Sequence, residues 1–249
     1  MSLLPPPTGM VWLVGAGPGS ADLLTIRAHR LITSAETIVH DRLVSAEILA
    51  LAPPTAELID VGKSRANHCL PQDDINALLI ARARAGQRVI RLKGGDPLVF
   101  GRGGEEIAAL ADAGIPHEIV PGITAALACA AQFSIPLTHR GLARSLTLAT
   151  GHTMHGADGI DIASLAGNQG TSAIYMGTTL LPHLARELIA AGVHPQTPAA
   201  LIHNGGSPHA HMHRADLATL PSAPARPGPG LVLIGEAVAQ ARQRAKVSQ

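Results

Sequence analysis

The chain has 249 residues, with 19 lysines and arginines against 18 aspartates and glutamates, for a formal charge of +1. Hydrophobic residues make up 46% and charged residues only 15%, which excludes a disordered chain and leaves enough apolar material for a substantial core. Near-neutrality argues against a dedicated nucleic-acid binder, and the few rings (Trp12, Phe100, Phe133, Tyr175) make a base-stacking surface a poor fit. The opening MSLLPPPTGM has neither a basic nor an apolar signal region and predicts no leader. MVWLVG then reads as a strand, followed by a Gly-rich turn and a helix through LLTIRAHRLITSA. TIVH is a short strand, SAEILALA a helix, AELIDVG and RVIRLKGG further strands, and PQDDINALLIARARAG the helix between those two. GGEEIAALADAG predicts another helix and HEIVPG another strand.

The uncharged stretch IVPGITAALACAAQFSIPLT is broken by Pro121, Gly122, Gln132 and Pro136, so it predicts a buried helix flanked by loops rather than a membrane span. The rhythm then restarts: SLTLATGH, SAIYMGT, a helix through LPHLARELIAAG, then AALIHN and LVLIGEA. Alternating strands and helices predict an α/β protein with largely parallel sheets. This many strands is served better by two sheets than one, with the junction near Pro121–Gly122. The reading is a tail at 1–10, an α/β domain at 11–121, a second at 122–240, and a C-terminal tail at 241–249. PSAPARPGPG reads as a loop, and QARQRAKVSQ as the frayed end of a helix. Cys69 and Cys129 form no CxxC pair, so neither a disulfide framework nor a zinc ribbon is expected, and the compartment predicted is the reducing cytoplasm.

Five segments carry residues suited to chemistry. VGAGPGS places Gly15, Gly17 and Gly19 between a strand and a helix, where they permit a tight turn and close approach of backbone to a ligand. The third glycine comes one residue early for a dinucleotide fingerprint, although Glu36 stands about where a ribose-binding acid would. In RLKGGDPLVFGRGGEE, Gly94, Gly95 and Asp96 follow a strand at the end where α/β sheets bind ligands. Asp96 either accepts hydrogen bonds from a small cofactor or caps local backbone; Arg102 and Glu105 surround a second glycine set. In HDRLVS, Asp41 serves equally as a helix N-cap or in catalysis, and Lys63 of VGKSR as a surface lysine or a site residue. PGITAA sets Thr124 at a loop-to-helix boundary, and PLTHRGLARS adds His139, Arg140 and Arg144, whose planar guanidinium forks suit carboxylates. HAHMH would gather three imidazoles along an extended strand, but no carboxylate or cysteine completes a metal motif, so no metal is predicted. There is no G-x-S-x-G nucleophile elbow.

In order, VGAGPGSADLLT, HDRLVS, VGK, RLKGGDPLVFGRGGEE, VPGITAA, IPLTHRG, TGH and IYMG resemble the uroporphyrinogen-III C-methyltransferase branch of the tetrapyrrole methylases, over roughly residues 11 to 240. The resemblance implies two α/β domains with the active site, and S-adenosylmethionine, in the cleft between them, usually in a homodimer. It is to the stand-alone enzyme, without a dehydrogenase–chelatase module. It implies cofactor contacts from Pro18, Gly94, Gly95, Asp96, Val99, Thr124, Ala125, Met176 and Gly205. Asp41 is implied as proton acceptor, with Arg102 the alternative, and Lys63 as proton donor; Arg102, Glu105 and Arg140 are implied to engage the substrate. The implied reaction is methylation of uroporphyrinogen III at C2 and C7 to precorrin-2 through precorrin-1, on the way to sirohaem, cobalamin or haem d1. Another precorrin methylase or a non-catalytic tetrapyrrole carrier are the alternatives; neither nucleic acid nor membrane is an expected partner. Two places depart from the family pattern: residues 64–68 after VGK, and residues 203–213, where His203 stands in place of the acid the family often has and the Pro- and His-rich part begins.

Overall fold

A computed structural model describes residues 9–62, 70–151 and 160–241. The chain divides into two compact units, Met1–Thr124 and Ala125–Gln249.

The first unit carries β1 (Met10–Gly15), α1 (Ile26–Ile32), β2 (Thr37–His40), α2 (Ala46–Leu49), β3 (Glu57–Asp60), α3 (Gln72–Arg84), β4 (Arg88–Lys93), α4 (Gly103–Asp112) and β5 (His117–Val120). Its strands form one parallel sheet in the order β3-β2-β4-β1-β5. Strand side chains alternate between faces, and both faces are covered. Trp12, Val14, Ile90 and Leu92 pack against Ala28, Ile32 and Ile48 of α1 and α2. Val11, Leu13 and Val89 pack against Ile75, Leu79 and Leu110 of α3 and α4. A sheet buried on both sides has no solvated face, which is why β1 reads as an unbroken apolar run. The connection from β1 leads one way to β2 and that from β4 the other way to β5, so a crevice opens at their carboxyl ends.

Helix α1 is shorter than the apolar periodicity predicts. Thr25 has extended backbone and its hydroxyl accepts from the Ala28 amide at 3.1 Å, so the helix begins after it; Ala21–Leu23 forms only a 3-10 turn. Acidic residues at the start of α3 (Asp73, Asp74) and basic ones at its end (Arg82, Arg84) complement the helix dipole.

The second unit carries α5 (Ala125–Gln132), β6 (Leu146–Thr150), α6 (Ile162–Gly167), β7 (Thr171–Tyr175), α7 (Leu181–Ala190), β8 (Pro198–His203), β9 (His211–Asp216) and β10 (Gly230–Ile234). Its sheet runs β6-β7-β10-β8-β9. Only β6 and β7 pair in parallel; β7–β10, β10–β8 and β8–β9 are antiparallel. The expectation of largely parallel pairing is therefore corrected here, because β8, β9 and β10 are joined by loops without the crossover helices that parallel neighbours need. Strand β9 and helix α6 are additions to the elements expected from the sequence: β9 is rich in histidine and charge, and it lies at the sheet edge where one side needs no apolar cover. Leu181, Leu184 and Leu188 of α7 pack on one face of this sheet, and Ala126, Cys129 and Ala130 of α5 on the other. The tail at 242–249 lies outside the described residues. No helix among the described residues is long and apolar enough to cross a membrane.

Candidate functional site

The glycines of the first unit's carboxyl edge act first on one another. Ala16 N donates to Lys93 O at 2.7 Å, and Gly17 and Gly95 exchange two backbone hydrogen bonds at 3.1 and 2.7 Å. A Cβ on Gly15 would stand 2.5 Å from Gly122 N and 2.7 Å from Gly95 O, and one on Gly122 would stand 2.2 Å from Gly95 O. The loops after β1, β4 and β5 thus pack backbone against backbone, and Gly15 and Gly122 are glycine because nothing larger fits. We predict that Gly122→Ala costs about 1–3 kcal/mol through overpacking and disturbs all three loops at once, checked by urea denaturation beside wild type. Gly95 differs. Its φ is +69°, and the nearest atom to a Cβ placed there would be Thr124 Cα at 3.9 Å, which leaves backbone surface open to a ligand.

Asp96 caps local backbone, one of the two roles its sequence context allows. Oδ1 accepts from the Leu98 amide at 2.9 Å and Oδ2 from the Gly122 amide at 3.0 Å, so the carboxylate turns its own loop and ties it to the loop after β5. Each oxygen keeps further acceptor capacity. Val99 is half-buried in the same turn, its amide 3.3 Å from Asp96 O. Pro18 is half-buried in the β1 loop, and Thr124 is buried at the end of the β5 loop, just before Ala125 opens α5.

Asp41 follows β2, and its Oδ1 accepts from the Leu43 amide at 3.0 Å in a two-residue turn. It is not the helix N-cap: Ser45 caps α2, accepting from the Ile48 amide at 3.3 Å, because Asp41 stands too far upstream of the first helical turn. Lys63 lies outside the described residues, as do Ser64 to Cys69. Arg102 and Glu105 face each other across one helical turn in a two-bonded pair at 2.8 and 2.7 Å, both more than half exposed. The arginine bond holds the Glu105 carboxyl below its usual range, and the same bond raises Arg102. An exposed pair of this kind opens at little cost, so both remain available to a ligand's charges.

Glu36 is in the wrong place for a ribose. It precedes β2 and therefore stands at the sheet's amino edge, where it pairs with Arg88 at 2.6 Å. Spacing after the glycines gives its distance along the chain but not which end of the sheet it occupies.

The residues that sequence reasoning missed are Arg91, Lys93 and Glu106. Glu106 of α4 is fully buried, and its Oε1 accepts from Arg91 Nε at 3.0 Å, Lys93 Nζ at 2.9 Å and Gln72 Nε2 at 3.3 Å. Burial and the neighbouring Arg91 charge pull Lys93 below the ordinary lysine value, opposed by Glu106. The available signal was two cations at alternate positions of a central strand, which must share one covered face.

In the second unit, Tyr175 Oη accepts from the Ala126 amide at 3.0 Å, fixing the start of α5 against the end of β7. Met176 follows with φ +52° and a half-exposed side chain. Gly205 sits against α5: a Cβ there would be 2.1 Å from Cys129 Sγ. Burial pushes the Cys129 thiol up to about 12, so it packs as a small apolar group. Arg140 is exposed and lines a shallow depression with Thr138, His139 and Arg144. Of HAHMH, only His211 to His213 lie in β9.

His203 is 2% exposed, with both ring nitrogens buried. Burial holds it below the ordinary histidine value, and the Arg226 and His211 charges act the same way, opposed by the Gly228 backbone. On acidification the unfolded chain takes up this proton first, so stability falls as pH drops below about 6.5 and continues to fall towards the folded value. His203→Gln should show a smaller loss of thermal midpoint between neutral and mildly acidic buffer than wild type does.

Residues 10–221 match the family of tetrapyrrole (corrin/porphyrin) methylases. The chain is 52% identical over 237 residues to a siroheme synthase of Methylococcus capsulatus, covering 94% of this chain and 50% of that protein. It thus spans about half the length of such curated relatives. Among solved structures it resembles the uroporphyrin-III C-methyltransferase of Thermus thermophilus complexed with S-adenosyl homocysteine, with a TM-score of 0.81, 39% identity, and coverage of 93% of this chain and 99% of that one. It also resembles a cobalt precorrin-4 methyltransferase, with a TM-score of 0.83, 26% identity, and coverage of 95% and 99%.

Proposed function

Because the chain belongs to the tetrapyrrole (corrin/porphyrin) methylase family, we propose that it is the methyltransferase that places methyl groups from S-adenosylmethionine on C2 and C7 of uroporphyrinogen III, giving precorrin-2 through precorrin-1. The observation that carries this reading is the near full-length likeness to the Thermus uroporphyrin-III C-methyltransferase. The carboxyl edge of the first unit fits such a cofactor: Gly95 exposes open backbone, and Asp96 keeps acceptor capacity for hydroxyl or ammonium groups. Pro18, Gly94, Val99 and Thr124 are the other cofactor contacts proposed in the first unit, and Ala125, Met176 and Gly205 those proposed in the second.

S-adenosylmethionine held there would supply an electrophilic methyl group to an electron-rich pyrrole carbon and leave as S-adenosylhomocysteine, so no protein nucleophile would be needed. The chain's contribution is alignment, an effect worth up to about 7–11 kcal/mol for well-oriented groups. Asp41 accepts the proton that leaves the methylated carbon, and Lys63 serves as the proton donor. Arg102, Glu105 and Arg140 engage the substrate, the two arginines through its acetate and propionate carboxylates. The enzyme works as a homodimer, which light scattering would check.

The test is incubation of the folded protein with uroporphyrinogen III and methyl-labelled S-adenosylmethionine. Two labelled methyls at C2 and C7, located by NMR, are expected; absence of transfer would sink the proposal. Label at another ring carbon would favour the second reading, a precorrin methylase of different position, for which the likeness to the cobalt precorrin-4 methyltransferase speaks.

A further inference from the structure

Three charged side chains meet inside the first unit, and their charges do not cancel. Arg91 and Lys93 each carry a positive charge, while Glu106 alone among the described residues pairs with them; all three side chains are at most 4% exposed. Arg91 alone would balance the charge of Glu106: its Nε binds Oε1, and its Nη1 reaches the Val39 and Leu92 carbonyls at 3.4 and 3.5 Å. Lys93 is the surplus cation. Desolvating it is costly, and an apolar side chain of similar volume often serves packing equally well, so its charge calls for a duty beyond stability.

Register shows what the charge faces. His40 of β2 is the Cα partner of Leu92 in β4, and Val39 that of Arg91. Asp41 and Lys93 are therefore the next residues along two neighbouring parallel strands, at the sheet's carboxyl edge. An aspartate and a lysine carry opposite charges, and the register sets these two side by side. The charged groups around Lys93 are thus Arg91 on its own strand, Glu106 on α4, and Asp41 beyond β2, with the neutral Gln72 of α3 on the far side of Glu106. The lysine's Cε lies 3.3 Å from where a Cβ on Gly101 would stand, so the ammonium is tucked beneath the loop after β4 and is shielded from solvent.

We propose that Lys93 is a positioning residue for Asp41: anchored by Glu106, it supplies the buried positive charge that orients the Asp41 carboxylate at the edge of β2 and β4. Lys93 is buried, so it acts through Asp41 and not by contact with the macrocycle. The inference rests on the reading of Asp41 as proton acceptor.

A double-mutant cycle tests it, with methyl transfer measured in single turnover for wild type, Lys93→Met, Asp41→Asn and the double variant. Lys93→Met should slow transfer at least tenfold while the dissociation constant for S-adenosylhomocysteine and the KM for uroporphyrinogen III stay within about twofold. In the Asp41→Asn background the same substitution should change the rate less than about twofold, because the carboxylate it orients is gone. Losses that multiply independently would overturn the proposal, and so would a Lys93→Met enzyme of wild-type rate. If Lys93→Met does not fold, Lys93→Gln enters the same cycle with the same expectations. A wild-type protein that transfers no methyl defeats the functional reading and this inference together; an active wild type with independent losses defeats the inference alone.

Discussion

Asp41→Asn is expected to slow methyl transfer by a factor of about 10²–10⁴, the usual contribution of a positioned acid or base, with little change in thermal midpoint. The substitution is nearly isosteric, and the side-chain oxygen still accepts from the Leu43 amide, so the turn after β2 is preserved. What is lost is the ability to accept a proton from the methylated ring carbon. The measurement is the single-turnover rate with labelled S-adenosylmethionine, beside the affinity for S-adenosylhomocysteine, which should hold. A variant with near-wild-type rate would move proton acceptance away from Asp41. Arg102 is the other candidate. Its bond to Glu105 holds it even more firmly protonated than an ordinary arginine, which makes it a poor acceptor and a good partner for a carboxylate.

Glu106→Gln carries the largest expected effect on stability. It removes the only anion among the described residues that is bonded to Arg91 and Lys93, leaving two buried cations against an amide. Breaking a buried pair in this way costs about 3–5 kcal/mol, and equilibrium urea unfolding should show a midpoint reduced accordingly. Lys93→Met should behave oppositely, because it leaves Arg91 and Glu106 as a balanced pair and removes a lysine that burial already holds below its ordinary value. Since the unfolded chain holds that proton more tightly, Lys93 costs stability at neutral pH, and the cost is relieved as pH rises from the folded value towards the ordinary lysine value. A Glu106→Gln protein as stable as wild type would show that the network is hydrated in solution.

Much of the first unit was legible because its strands are short, aliphatic and bounded by glycines. Period and turn residues locate β1, β2, β4 and β5 within a residue or two, and the ligand-binding end follows from the order of strands and helices. The second unit was less legible. Its parallel and antiparallel pairings are built from the same kinds of strand, and the histidine-rich β9 carries no apolar alternation because it covers an edge. Asp96 was ambiguous for a different reason: an aspartate in a Gly-rich turn can serve backbone or ligand, and only the positions of the Leu98 and Gly122 amides show that it serves backbone here, with acceptor capacity left over.

The sequence by itself determined the α/β class, the glycine turns at strand ends and the family, because each depends on residue types and spacing along the chain. The tertiary structure decided which charges are buried. Arg102 and Glu105 lie in the same dense motif as Lys93 and Glu106, and composition cannot tell the two pairs apart. The first pair stands in solvent and the second is sealed between β4 and α4. The difference arises from which side of the strand and helix each residue occupies once they pack. Low dielectric then makes the sealed pair the one whose charge is felt at a distance.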